Sequence, residues 1–554
     1  MAPKRKAEGS TSSKKTKKTT SKSKNDSELL SLDQIQDLGD QIIDSFKVNN
    51  FVELLDQLKK VKTILESNEH VETESLGRNI AVILFKCFQK LLKDGQMINK
   101  KSNDEKKKVV AKWLLDKYSS FKKIIAEYIQ GKLSFESSLQ LDLLEINLNL
   151  IKLESQYLKS SSKDLYFPNV TYKELIEAII TSKAGEISSD GTSTNFIVLE
   201  FIEVFKKNWD LQFYFFNCLS DPLEEWKQTK SEDELRLIFS NVYTIIRTGL
   251  LFDSEKLEEQ PTWIQGKLPS IAYKQSTFKA QYQKCIITIL TYPLLSNQYK
   301  AILLVLHKRI IPYMTQPQGL MDFLTDSYDV ADDSVVPILA LNSLYELMKN
   351  YNLEYPDFYT KLYSLLTPEL LYTRYRSRFF RLCDLFLSST HLSASLVASF
   401  IKKLARLSIG SSASGVVIVI PFIYNLLKRH PTCMIMLHNI EGSKKKDYTD
   451  PYDNNEKNPM NTNAIGSSLW ELETLMSHYH PNIATLAKIF GEPFRKHSYN
   501  MEDFLDWSYI SLLESEKTRR YKTMAALEFE EFDRLFDSND KKETDRALIE
   551  GWTI

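Results

Sequence analysis

Turn-forming residues are scarce in this sequence of 554 residues, which contains 16 glycines and 17 prolines. β-Sandwiches and barrels need such residues about every 8–12 positions, at each turn between strands. The scarcity therefore excludes an all-β fold, and it argues against a βαβ enzyme with glycine-rich ligand loops. Long α-helices joined by short polar turns are predicted instead.

Cysteines and long apolar runs are also few. Five cysteines exclude a disulfide scaffold. Cys87 and Cys285 lie in apolar helical runs, which predicts buried thiols and a reducing compartment. The most apolar run, residues 416–427, contains Pro421 and is too short to span a bilayer. No apolar stretch follows the basic N-terminus, so no signal peptide is predicted. We expect a soluble intracellular protein without membrane contact.

Charge is unevenly distributed, although the chain is neutral overall. Residues 1–24 hold nine Lys or Arg and one Glu, which leaves 63 basic and 71 acidic residues for the rest. Residues 1–27 lack apolar side chains that could offset the entropy of ordering, so we predict a disordered basic tail. Its two basic clusters predict a nuclear import signal, the alternative being a solubilising tail. The predicted signal residues are Lys4, Arg5, Lys6, Lys14, Lys15, Lys17 and Lys18.

Helical periodicity dominates the remaining chain. Apolar residues recur at helical spacing from Phe51 to Leu65, and similar runs continue to about residue 250. The predicted fold class is all-α, a HEAT/armadillo-like helical solenoid preceded by the disordered tail. The predicted domains are the tail (1–27), an N-terminal helical repeat region (28–270), an aromatic-rich helical domain (271–497) and an acidic C-terminal extension (498–554). In the extension, acidic residues flank Phe529, Phe532, Leu535 and Phe536, a pattern typical of a docking helix.

Motifs for catalysis and for metal binding are absent or incomplete. Gly410 and Gly415 have phosphate-loop spacing, but Val416 and Val417 stand where Lys and Ser or Thr are required. A helix start after a Ser/Gly turn explains the pattern better. His478 and His480 lie two residues apart, which on a helix points them in different directions. We therefore predict no catalytic residue, no cofactor and no metal site, and expect the protein not to be an enzyme.

Basic residues cluster on two predicted helices. Arg374, Arg378 and Arg381 fall opposite an apolar stripe that includes Phe379, and Lys402 and Arg406 fall opposite the stripe of helix 391–408. Such faces fit contacts with RNA phosphates or with a protein partner, the alternative being solvated helix faces. By the same reasoning Tyr345, Phe379 and Trp470, which lie on apolar stripes, are assigned to the core.

Several linked stretches resemble a known family. LHKRIIPYMTQPQGLMDFLTDSYD (306–329), RFFRLCDLFLSSTHL (378–392), DPYD (450–453) and SSLWELETLMSHYHP (467–481) are similar to the CCAAT-binding-factor domain of nucleolar complex proteins. The resemblance covers roughly residues 300–490 and extends to the acidic C-terminal segment, which is under half of the chain. Each stretch alone is weak, but their order along the chain is specific.

This resemblance implies a nuclear, nucleolar assembly factor acting in small-subunit rRNA processing within the small-subunit processome. The first implied partner is the nucleolar protein numbered fourteen in the Nop series, with which the chain would form a heterodimer. The others are small-subunit pre-ribosome proteins and pre-rRNA. The family is not known as an enzyme family, in agreement with the incomplete motifs. The alternatives are a DNA-binding transcription regulator of the CCAAT-binding-factor type and a HEAT-type nuclear transport factor.

Overall fold

The structure is a computed structural model, and it describes residues 29–519 apart from 68–70, 98–104, 134, 159–165, 251–256, 266–267, 331–332, 334, 352–356 and 439–448. The chain divides into two compact units, Met1–Tyr355 and Pro356–Ile554. The described residues contain no β-strand, only an isolated antiparallel bridge between Ile187 and Ser193. The predicted all-α class is confirmed. The predicted tail and its import signal lie outside the described residues.

The described part of the first unit is built from thirteen α-helices. They are α1 Leu32–Ser45, α2 Asn50–Ser67, α3 Val71–Lys93, α4 Glu105–Gln130, α5 Ser138–Tyr157, α6 Asn169–Ile180, α7 Phe196–Phe205, α8 Trp209–Thr229, α9 Glu232–Arg247, α10 Gln275–Leu290, α11 Ser296–Val305, α12 Met321–Asp329 and α13 Val335–Tyr351. A π-helical turn follows α11 at Leu306–Ile310. Short 3₁₀ helices lie at Leu257–Glu259, Ser270–Tyr273, Ile311–Tyr313 and Pro317–Leu320.

Helices of the first unit stack in two layers. From α2 to α10, each even-numbered helix packs on the next even-numbered one, and the odd-numbered helices from α1 to α13 form the second layer. This arrangement is that of a helical repeat array, in which each helix contacts its neighbours along the stack. The apolar periodicity explains it, because Phe51, Leu54 and Leu58 of α2 are all fully buried.

The packing of α8 on α10 crosses the predicted domain boundary at residue 270. The rings of Trp209 and Phe278 lie 5.1 Å apart, and both side chains are fully buried. The Cys285 thiol lies 3.1 Å from the Phe216 carbonyl. Residues 271–351 thus complete the first stack, and the compact units divide at Tyr355 and Pro356 rather than at residue 270.

The described part of the second unit surrounds one buried helix, α17. Its helices are α14 Phe358–Ser364, α15 Arg376–Phe386, α16 Ala394–Ile409, α17 Ala413–Arg429, α18 Trp470–Leu475, α19 Pro481–Ala487, α20 Glu502–Leu505 and α21 Tyr509–Thr518. The 3₁₀ helices are Pro368–Tyr372, Pro431–Met436, Ala464–Gly466 and Lys488–Gly491.

Helix α17 is apolar around its whole circumference, as expected of a helix enclosed by others. Every residue from Ala413 to Leu427 is buried, and α16, α19, α20 and α21 pack against it. This is the 416–427 run that the sequence singled out, and α17 begins directly after Ser412. Within the described residues, no helix combines the length and the apolar character needed to cross a membrane.

Candidate functional site

The arginines around α15 do not form the single exposed face that the sequence predicts. Arg374 lies in the turn before the helix and is exposed. Arg378 is partly buried, and its Nη1 has no hydrogen-bond partner in the described part of the chain. Burial lowers the pKa of Arg378, and the neighbouring charge of Arg381 lowers it further.

Arg381 is engaged by a carboxylate. Its Nε and Nη2 donate to Oε1 and Oε2 of Glu502 at 2.8 and 2.6 Å. The three arginines predicted as possible RNA or partner contacts therefore differ in their surroundings, and their contact with RNA or a partner stays a prediction. Of the three, Arg374 alone is both exposed and without a partner among the described residues. The reason is tertiary, because Glu502 comes from a segment more than one hundred residues away in the sequence.

Arg376, which the sequence did not single out, anchors the start of α15. Its Nη1 donates to the Leu371 carbonyl at 3.0 Å and to Ser414 Oγ at 3.2 Å, and its Nη2 donates to the Trp507 carbonyl. None of these acceptors is a carboxylate, and Arg376 forms no ion pair with a described residue. Burial lowers its pKa. Among the described residues, no acid thus pairs with its positive charge.

The chain after α19 returns to the centre of the second unit. The Asn425 amide donates to the Tyr499 carbonyl at 2.8 Å and accepts from the Tyr499 N–H at 2.7 Å. The Tyr424 hydroxyl donates to the Lys496 carbonyl at 2.8 Å. Residues 496–518 therefore belong to this unit and do not form a separate extension. The acidic cluster of the predicted docking helix lies outside the described residues, at Glu528, Glu530, Glu531, Asp533 and Asp537.

Lys402 lies in the middle of α16 and is fully buried. Its Nζ lies 2.7 Å from Glu471 Oε1, which is also fully buried, and donates to the Ser468 carbonyl at 2.6 Å. Asp450 Oδ2 lies 3.6 Å away. The prediction of a solvent-facing Lys402 is wrong, because α18 and the DPYD segment cover the side of α16 opposite its apolar stripe.

Arg406 lies one turn further along α16, at the edge of the same cluster. Its Nε donates to Glu471 Oε1 at 2.9 Å, and its side chain is 36% exposed. The guanidinium lies 5.0 Å from the centre of the Trp470 ring and 5.9 Å from that of Tyr452. The DPYD and SSLWELE stretches, which lie apart in the sequence, thus meet on α16 around Lys402 and Arg406.

Trp470 is 42% exposed. Its assignment to the core is therefore wrong, whereas Phe379 is fully buried as predicted. Tyr345 in α13 is partly buried. Trp470 begins α18, and the next residue, Glu471, points inward to Lys402 and Arg406. The helix thereby holds the indole ring at the surface beside Arg406. A large exposed aromatic ring held in place in this way is typical of a contact residue.

Metal-ligating residues do not converge in the described part of the chain, where no group of three or more His, Cys, Asp or Glu could hold an ion. His478 Nδ1 accepts the His480 N–H at 3.0 Å, and His480 Nδ1 accepts the Asn482 N–H at 3.3 Å. The His480 ring thereby caps the start of α19, and the His478 ring accepts a hydrogen bond within the turn before it. All five cysteines are buried, as predicted for Cys87 and Cys285, and burial raises the pKa of Cys87 to about 12.

Two family models match the chain in its two halves. The CBF/Mak21 family matches residues 337–487, and the family described as nucleolar complex protein 4-like, TPR repeats, matches residues 22–229. Nucleolar complex protein 4 of Saccharomyces cerevisiae is 44% identical over 92% of this chain and 97% of its own length. The nucleolar complex protein 4 homolog A of Xenopus laevis is 32% identical over 76% of this chain and 77% of its own. The Gallus gallus homolog is 36% identical over 59% and 64%.

A stack of helical repeats joined to a CBF/Mak21 domain defines a helical-repeat protein of the nucleolus. The chain belongs to the nucleolar complex protein 4 family. The family resemblance found in the sequence is confirmed, and so are the helical-repeat class and the nuclear, nucleolar location.

Proposed function

We propose that this protein is a non-enzymatic scaffold that acts in small-subunit rRNA processing within the pre-ribosomal particle. The observation that carries the proposal is the match to nucleolar complex protein 4 along almost the whole chain, in both helical units. A stack of helices supports such a role because it offers an extended surface to several partners at once.

The proposed partner is the nucleolar protein numbered fourteen in the Nop series, bound by the second unit. An exposed apolar face on α21 supports this assignment, since Ile510 and Leu513 are 69% and 62% exposed while Leu512 of the same helix is buried. An amphipathic helix of the partner would bury its own apolar side there. The remaining proposed contacts are small-subunit pre-ribosome proteins and pre-rRNA, the latter through the exposed Arg374 and the partly exposed Arg406.

Affinity purification of the full chain from growing cells tests the function. Precursor rRNA of the small subunit and small-subunit pre-ribosome proteins are expected to co-purify, and depletion of the protein should cause that precursor to accumulate. Recovery of promoter DNA instead would favour a transcription regulator, and recovery of a small GTPase would favour a transport factor.

Charge placed on the α21 face tests the partner assignment in the full chain. Ile510→Glu combined with Leu513→Glu should abolish co-purification of the proposed partner, because a buried unpaired carboxylate is strongly unfavourable in an interface. Val109→Glu is the matched control, since Val109 is 68% exposed but lies in the first unit. If Val109→Glu alone loses the partner, the interface lies in the first unit.

The basic tail is proposed as the nuclear import signal. Deletion of residues 1–24 should leave the helical units folded and reduce nuclear accumulation, measured by fluorescence microscopy of a tagged chain. The experiment should be done in cells depleted of the proposed partner, because import of a bound complex would otherwise mask the effect. Unchanged accumulation there would refute the signal.

A further inference from the structure

We propose that the C-terminal end of α16 carries a surface that binds unpaired RNA by stacking bases on Trp470 and Tyr372, beside arginines that contact the phosphates. The inference rests on the proposed contact with pre-rRNA and specifies its chemistry. Both rings are substantially exposed, at 42% for Trp470 and 56% for Tyr372.

Each of the two rings contacts a residue in the last turn or at the C-terminal end of α16. Trp470 lies against the Arg406 guanidinium, with 5.0 Å between the charged carbon and the ring centre. Gly410, four residues after Arg406, follows the last residue of the helix, and its carbonyl accepts a hydrogen bond from the Tyr372 hydroxyl at 3.1 Å. Four residues of helix rise about 6 Å, so Arg406 and Gly410 lie one above the other on the same side.

Each ring is held in position by contacts behind it. The Tyr372 hydroxyl bond to Gly410 fixes one ring at the end of a 3₁₀ helix. The buried pair between Lys402 and Glu471 fixes the start of α18, where Trp470 lies. Aromatic side chains that are positioned before binding lose little conformational entropy when a base stacks on them.

The charge beside Tyr372 favours a polyanion. Arg374, Arg376 and Arg378 follow it directly in the sequence, and none forms an ion pair with a described residue. Arg376 donates hydrogen bonds to the carbonyl of Leu371, the residue before Tyr372, and to the hydroxyl of Ser414. Its positive charge therefore lies close to the backbone of Tyr372. The exposed acid nearest to Tyr372 in the sequence is Glu369, which lies in the same 3₁₀ helix, Pro368–Tyr372. Arginines interleaved with exposed aromatic rings are typical of single-strand binding sites.

Gly410 offers a precise way to change the charge of this surface. Its φ is −93°, which any residue adopts, and an added Cβ would meet no neighbouring atom within 4 Å. Gly410→Glu therefore adds a carboxylate at the residue whose carbonyl Tyr372 contacts, without backbone strain or steric conflict. Gly410→Lys places a positive charge at the same point, and Gly410→Ala is the uncharged control.

The first experiment measures binding of the full chain to a fluorescent single-stranded oligouridylate, to an abasic oligomer of the same length and to an RNA duplex. Stacking predicts the strongest binding to the oligouridylate. Trp470→Ala and Tyr372→Ala should each weaken it about tenfold, with little change for the abasic oligomer. Tyr479→Ala, at a tyrosine 78% exposed that stacks on His478, is the control and should have no effect.

The second experiment uses the Gly410 series and does not depend on the aromatic variants folding. Gly410→Glu should weaken oligouridylate binding, Gly410→Lys should strengthen it, and Gly410→Ala should match the unmodified chain. Equal affinities across the three variants would overturn the assignment. So would aromatic variants that lose a protein partner and keep full RNA affinity, because the surface would then be a protein interface.

Crosslinking in cells separates this inference from the proposed function. If the unmodified chain does not associate with pre-ribosomal particles, the proposed function fails. If it does associate, and the Trp470→Ala, Tyr372→Ala double variant crosslinks to pre-rRNA as well as the unmodified chain, only the assignment of this surface fails.

Discussion

The Lys402 ammonium lies 2.7 Å from the Glu471 carboxylate, and both side chains are fully buried. The pair joins the middle of α16 to the start of α18 and is completed by the Ser468 carbonyl, which accepts from Lys402. A buried ion pair of this kind contributes little net stability compared with apolar residues, but the loss of one partner leaves an unpaired charge in the interior. Its role here is to determine where α18 lies on α16.

Removal of one member of this pair should be costly. Glu471→Gln is expected to lower the free energy of local unfolding of α16 and α18 by about 3 kcal/mol, because Lys402 would remain charged and buried with only Asp450, 3.6 Å away, as a counter-charge. The double variant Lys402→Met, Glu471→Leu should come within about 1–2 kcal/mol of the unmodified protein or exceed it in stability. Hydrogen exchange of peptides from the two helices measures both. A double variant as unstable as the single one would show that the charges themselves are required.

Acid should loosen the DPYD segment from α16. Burial alone would raise the pKa of Asp450, but hydrogen bonds from Ser467 and from the Tyr452 N–H, with the charges of Lys402 and Arg406, lower it below the ordinary value. A carboxyl whose pKa is lowered by folding stabilises the native state above its unfolded pKa of about 3.9, and this contribution is lost as the pH falls through the native pKa.

The thermal unfolding midpoint, measured from neutral pH down to about pH 3, tests this linkage. The unmodified protein should lose more stability below about pH 4 than Asp450→Asn, which has no proton to take up at this position. Asp453→Asn is the control within the same motif, because Asp453 is exposed and forms no ion pair with a described residue. Identical pH profiles for the protein and Asp450→Asn would contradict the linkage.

Arg374 and Arg381 should differ in their effect on RNA binding. Arg374 is exposed and without a partner among the described residues, whereas Arg381 is held by Glu502 through two hydrogen bonds. Arg374→Gln should weaken binding and reduce the slope of log affinity against log salt by about 0.7, the contribution of one single-strand phosphate contact. Arg381→Gln should leave the slope unchanged. The reverse result would mean that RNA displaces Glu502 from Arg381.

Truncation should reveal where the first unit ends. A fragment of residues 1–270 lacks α10 and would expose Trp209 and Phe216 of α8, which are fully buried in the whole chain. We expect it to aggregate and to bind apolar dyes, whereas residues 1–355 should remain monomeric in size-exclusion chromatography. A monomeric 1–270 fragment without dye binding would show that α8 does not depend on α10.

The helices of this protein follow closely from its sequence. The apolar spacing from Phe51 to Leu65 predicts α2, and the stripe that includes Phe400 and Leu404 predicts the buried side of α16. Both succeed because the period of an α-helix is a local property, and an apolar stripe has to be buried whichever element covers it.

The candidate site depends on contacts that local periodicity does not contain. The same helical wheel that buries Phe400 places Lys402 on the opposite side, but it says nothing about whether α18 or water lies there. Trp470 follows the apolar pattern of its helix and nevertheless lies at the surface, because its neighbour Glu471 takes the interior position beside Lys402. The helical wheel predicts Arg381 on the polar side of α15, but it does not contain Glu502, which pairs with Arg381.

The sequence by itself determined the all-α class, the interior helix α17, the buried thiols and, through the order of its motifs, the family. Each of these depends on composition, on local period or on the linear arrangement of residues. Tertiary structure alone decided which charges are paired and which rings are exposed, because such contacts join segments far apart in the chain. Lys402 with Glu471 and Arg381 with Glu502 became partners in this way, and the rings of Trp470 and Tyr372 came to lie exposed.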